Sequence, residues 1–152
     1  MTEEQSLIVS MVRRFVHEEI LPLELSLDPD ADEIPAEDFE RLTEKTRAMG
    51  LFGMDIPPEF GGPDIDLVTR TLLAIEMAQH RAGLYVPCYG VFGGAGLAQL
   101  FEATEDQKKR YLYPTLAGKK KGFFGLSEPS GGSDPARAIQ TIAIQDGRLD
   151  HQ

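Results

Sequence analysis

The period of the apolar residues changes at Gly118, and this change most limits the fold. Before it, apolar side chains recur every three to four residues, the spacing of a helix with one buried face. After it they fall into short runs of strand-forming residues. Phe123, Phe124 and Leu126 form one run, and Thr141, Ile142, Ala143 and Ile144 form another. A chain in this order builds helices first and sheet second, so the expected class is mainly α with a β start at its end.

Five helices are expected. The first covers about residues 3 to 20. Thr2 and Gln5 form a capping box, in which each side chain satisfies the other's free backbone N–H. Leu7, Ile8, Met11, Val12, Phe15 and Val16 share its buried face, and Pro22 ends it because proline has no N–H to donate. Residues 24 to 34 read as an acidic loop. A second helix starts at Pro35, buries Phe39, Leu42 and Met49, and stops at Gly50. Pro57 to Pro63 is a rigid turn cluster rich in proline and glycine. The third helix spans about Asp66 to Arg81, with Val68, Leu72, Ile75 and Ala78 inward. A fourth, about Tyr89 to Phe101, carries Gly90, Gly93, Gly94 and Gly96, each costing roughly 1 kcal/mol of helix propensity against alanine. Close packing or a ligand against bare backbone would offset that. The fifth opens on the capping box Thr104-Glu105-Asp106-Gln107, runs to about Ala117 and stops at Gly118. Asp146-Gly147 then signals a two-residue hairpin, with residues 148 to 152 left for the returning strand. A half-built hairpin leaves backbone groups unpaired, so the chain is expected to stop inside a β-structure and to self-associate through its open edge.

The formal net charge is −10, which argues against a nucleic-acid binder. Lys108, Lys109, Arg110, Lys119, Lys120 and Lys121 nevertheless fall within fourteen residues that contain no acid. That run reads as a solvated helix end and turn, or as an edge that faces an anion. Cys88 is the single cysteine and has no disulfide partner within the chain. This fits a reducing cytoplasm. Residues 1 to 5 are polar and acidic, unlike a secretory signal, and no apolar run reaches the roughly 20 residues of a membrane span. His17, His80 and His151 show no metal-ligand spacing. Cys88 reads as a buried bystander, since no partner histidine is indicated.

The segment with most chemical content is Phe123-Phe124-Gly125-Leu126-Ser127-Glu128-Pro129-Ser130-Gly131-Gly132-Ser133-Asp134. A strand there would run into a turn rich in glycine, serine and acid. Successive backbone N–H groups in such a turn can cradle an anion, and serine hydroxyls donate or accept. A polar surface turn has the same composition. A dinucleotide fingerprint at Gly94-Ala95-Gly96 fails twice. Gln99 stands where the third glycine belongs, and no acid lies about 20 residues on.

Three motifs in order resemble the acyl-CoA dehydrogenase family. They are Ile56-Pro57-Pro58-Glu59-Phe60-Gly61-Gly62, then Thr104 to Lys108 with Tyr111-Leu112-Tyr113-Pro114-Thr115-Leu116-Ala117-Gly118, then Ser127 to Asp134. The likeness spans essentially the whole chain and is best from 101 to 147. It implies an N-terminal up-and-down helical bundle over 1–120, followed over 121–152 by the first strands of an incomplete β-domain. It implies FAD as cofactor, acyl-CoA as substrate and, for a full-length protein, a homotetramer. By motif position Phe124 and Leu126 would flank the flavin ring, and Ser127 would hydrogen-bond its edge. Gly132 and Ser133 would reach the pyrophosphate. The glycine-bearing fourth helix would border the acyl pocket. Two residues depart from the family habit: Ala103 replaces a glycine and Ser127 a threonine. The family's second flavin strand and its proton-abstracting carboxylate have no counterpart among these residues. No catalytic residue is therefore nominated, and the chain alone is expected to bind FAD weakly and to lack dehydrogenase activity. Acyl-CoA oxidases and nitroalkane oxidases share the same front-end pattern, and a non-catalytic helical interaction module is the other alternative.

Overall fold

A computed structural model describes residues 1–31, 33–80, 87–93, 98–117, 119–120, 122, 125–129, 133–142 and 144. The chain divides into two units, Met1–Ala95 and Gly96–Gln152.

The first unit begins with α1 (Glu3–Phe15), and the Thr2–Gln5 capping box forms as expected. The helical path does not end at Pro22. A wide π turn, Val16–Ile20, leads directly into α2 (Leu21–Ser26). The N–H of Leu21 bonds the Val16 carbonyl five residues back. That wider turn makes room for the Pro22 ring, which would otherwise strike the carbonyl four residues before it.

α3 (Ala36–Ala48) ends in a Schellman motif. Gly50 N–H bonds Arg47 O at 3.0 Å and Leu51 N–H bonds Thr46 O at 3.1 Å, with Gly50 at φ +72°. Leu42 is buried, Met49 is half-buried, and Phe39 stays exposed against expectation. Phe39 shares a helix face with Leu42 and Thr46, three and seven residues on, but sits in the first turn of α3. A short helical turn, Pro58–Phe60, occupies the proline–glycine cluster. A Cβ on Gly62 would lie 1.7 Å from the Ile56 carbonyl oxygen, so this position requires glycine.

α4 (Leu67–Met77) starts on Asp66, whose carboxylate accepts the N–H groups of Val68 and Thr69 and the Thr69 hydroxyl. Its buried face is Thr69, Leu73, Glu76 and Met77. Val68, Ile75 and Ala78 are exposed and Leu72 is half-buried, so the expected face is rotated by about one residue, or about 100°. Polar partners from α1 cause the rotation. Gln5 Nε2 donates to Thr69 Oγ1 at 3.1 Å, and Arg13 grips Glu76 with two bonds of 3.0 and 2.7 Å. Partner numbers rise together along both helices, so α1 and α4 run parallel.

The turn Pro87–Gly90 replaces the start of the expected fourth helix. Cys88 and Tyr89 stand at φ +50° and +56°, and Gly90 and Gly93 at +80° and +76°. Four left-handed residues within six positions cannot continue a helix. Helix resumes at α5 (Ala98–Phe101), in the second unit. Core side chains of the first unit include Val12, Phe15, Val16, Leu42, Leu73 and Val91. Leu7 is exposed rather than buried, and Val9 takes its place in the core.

In the second unit, Thr104 and Gln107 form the expected capping box before α6 (Glu105–Gln107). A second π turn, Lys108–Leu112, precedes α7 (Tyr113–Leu116) and its Pro114. Lys120 Nζ donates to the Arg110 carbonyl, the one Pro114 has no N–H to serve, at 3.0 Å. No strand occurs among the described residues. Leu126, Thr141, Ile142 and Ile144 lie outside any ladder, whereas Phe123, Phe124, Ala143 and the Asp146-Gly147 hairpin lie outside the described residues. A strand needs a neighbour to take its backbone groups, and at Thr141 the N–H is already taken by a side chain.

Candidate functional site

Three devices act on the described residues between Leu126 and Thr141. Pro129 sets its own φ and confines Glu128, the residue before it, to extended backbone. The Asp134 carbonyl accepts the N–H groups of Arg137 and Ala138 at 3.2 and 2.9 Å, which starts α8 (Pro135–Ala138). The Glu128 carboxylate accepts the N–H of Gln140 at 2.8 Å and that of Thr141 at 3.0 Å, one on each oxygen. Bonding by Gln140, then Thr141, holds the Glu128 carboxyl below its ordinary range.

Among the expected contact residues, Leu126, Ser127 and Ser133 are exposed, while Phe124 and Gly132 lie outside the described residues. The braced loop therefore presents two hydroxyls and one half-exposed apolar side chain. Glu128 is engaged with two amides, which is a poor state for a base that must take a proton. Its two bonds were not legible in the sequence, because nothing in a Glu-Pro pair marks a partner twelve residues away. The start of α8 was legible in principle: Asp134 followed by proline is a helix-start signal.

A second buried polar group lies in the first unit, where the His80 side chain is buried. Its Nε2 accepts the Cys88 N–H at 2.6 Å, its ring lies 5.0 Å from that of Tyr89, and Nδ1 is 3.9 Å from Glu24. The Tyr89 hydroxyl donates to Glu24 at 3.1 Å. Burial lowers the His80 pKa, and nearby Glu24 partly offsets this. The Cys88 thiol is buried and pushed up to about 12, so it is held as a neutral thiol. These groups brace the left-handed Cys88–Tyr89 turn. Among the described residues no group of histidine, cysteine and acid side chains could hold a metal ion, and no helix is long and apolar enough to cross a membrane.

The family described as acyl-CoA dehydrogenase, N-terminal domain, matches residues 2–119, and the chain belongs to this family. A probable acyl-CoA dehydrogenase of Bacillus subtilis is 32% identical over 95% of the chain and 24% of the relative. A second from that organism, probable acyl-CoA dehydrogenase YngJ, is 34% identical over 97% of the chain and 37% of the relative. A 3-(aryl)acrylate reductase of Clostridium sporogenes is 33% identical over 96% of the chain and 37% of the relative. The chain thus spans about a quarter to somewhat over a third of the curated relatives it resembles.

Proposed function

We infer that this chain is the front portion of an FAD-dependent enzyme that acts on the α,β-bond of acyl-CoA thioesters. The observation that carries this reading is the braced loop with Leu126, Ser127 and Ser133 exposed, in a member of this family. Bound FAD would supply the two-electron acceptor; the protein's task is to bind and orient it. Leu126 and Phe124 would pack on its ring, Ser127 would meet the ring edge, and Gly132 and Ser133 would meet the pyrophosphate. Residues 1–120 would form the helical domain and 121–152 the start of a β-domain. Acyl-CoA as substrate, a homotetrameric full-length form and a cytoplasmic location belong to the same reading. The relative named as a reductase favours a second form of it, in which the same site delivers electrons to an unsaturated acyl group.

Titration of the purified chain with FAD, followed by flavin fluorescence and absorbance, tests the reading. Weak but saturable quenching is expected, reduced in Ser127→Ala. Addition of acyl-CoA should leave the flavin spectrum oxidised, because none of the described residues is placed as a base. Absence of quenching in the unmodified chain counts against the cofactor assignment. Bleaching by acyl-CoA counts against the absence of a base.

A further inference from the structure

The Glu128 side chain reaches the backbone of residues 140 and 141. Each carboxylate oxygen takes one of two successive amides, so the pair fixes orientation as well as distance. Carboxylate–amide bonds of this kind are shorter and stronger than neutral ones. Bringing positions 128 and 140 together closes a loop, which costs chain entropy unless something holds the ends. Within the loop lie Ser133, Asp134 and α8, and Ser127 adjoins its upstream end. Pro129 stiffens the backbone on the far side of the carboxylate, so a fixed Glu128 leaves Ser127 little freedom.

We propose that Glu128 is a positioning residue: by binding the Gln140 and Thr141 amides it closes the 128–141 loop and sets the direction in which Ser127 and Ser133 meet a flavin. The flavin clause rests on the proposed function; the closure does not. Glu128 touches no reacting atom in this scheme and works through the two serines. Its charge is needed as an acceptor of two bonds, so the device is sensitive to side-chain length as well as to charge.

The test compares the unmodified chain with Glu128→Gln, Glu128→Asp and Glu128→Ala. Amide hydrogen exchange at Gln140 and Thr141 reads the closure. Exchange at Val12 and Leu73 reports whether the first unit still folds. Both loop amides should exchange several-fold faster in Glu128→Ala and in Glu128→Asp, whose side chain is one methylene shorter. Glu128→Gln keeps one acceptor oxygen and should fall between. Unchanged exchange at both amides in Glu128→Ala overturns the closure. FAD affinity should fall in the same order as protection. Lost protection with unchanged FAD affinity overturns the positioning role and leaves the flavin reading standing. Full FAD affinity in Glu128→Asp with lost protection also overturns it, since charge alone would then suffice. No FAD binding by the unmodified chain overturns the flavin reading and the positioning role with it, while the exchange data still decide the closure.

Discussion

At Gly62 a single missing side chain decides whether the Ile56–Pro63 turn can close. A Cβ there would lie 1.7 Å from the Ile56 carbonyl oxygen and 2.5 Å from its carbon. Backbone cannot yield as a flexible side chain can, so Gly62→Ala should destabilise by clearly more than the ~1 kcal/mol typical of a point substitution. Gly50 makes a useful contrast. It sits at φ +72° with nothing within 4 Å of its would-be Cβ, so Gly50→Ala should cost only the left-handed strain, about 1–2 kcal/mol. Urea unfolding of both variants checks the order, and equal losses would contradict it. The sequence marked this stretch as a turn through its prolines and glycines, but not which atom each glycine must avoid. Cys88 and Tyr89 carried no mark at all. Nothing about either residue type predicts positive φ, and the turn they make depends on His80 accepting the Cys88 N–H and on Glu24 accepting the Tyr89 hydroxyl.

Among the elements, the helix starts were the most legible. Both capping boxes form, because their partners lie three residues apart and need no tertiary help. Thr2→Ala should cost about 1 kcal/mol. It removes the acceptor of the Gln5 N–H, and the Gln5 amide links α1 to Thr69 of α4. Thermal unfolding by circular dichroism measures the loss, and a double cycle with Thr69→Val should show coupling between the two sites. An additive cycle would remove the link. Helix continuations were less legible. Pro22 looks like a stop, yet it follows a π turn that absorbs the proline, and Pro114 follows a second such turn. The buried face of α4 was misread for a different reason. Its core line includes Thr69 and Glu76, polar residues that α1 pairs with Gln5 and Arg13, whereas the more apolar line through Val68 and Ile75 faces outward.

For the whole molecule, the paired carboxylates set the response to acid. Lys45 lowers the Glu19 pKa, Thr69 that of Asp66, Arg13 that of Glu76 and the Gln140 amide that of Glu128. Each is depressed in the fold, so its contribution is present above the ordinary pKa and is lost as pH falls through the folded value. His80 is also depressed, by burial, and loses its contribution as pH falls below its ordinary value of 6.5. Stability should therefore decline in two stages, first below pH 6.5 and then more steeply below 4.5, the ordinary value of the three glutamates. Denaturant unfolding across this range checks it, and a stability that stays constant down to pH 5 would remove the His80 part. By itself the sequence determined the helical character of residues 3–20, 36–48, 67–77 and 105–116, both capped helix starts, the glycine turns and the family, because each rests on neighbours within a few residues or on a contiguous motif. Only the tertiary structure decided which face of α4 is buried, where the glycine-bearing segment leaves the helical path, and that Glu128 closes the loop beside Ser127. Those outcomes depend on groups that meet from 8 to 65 positions apart, and no local pattern encodes such a meeting.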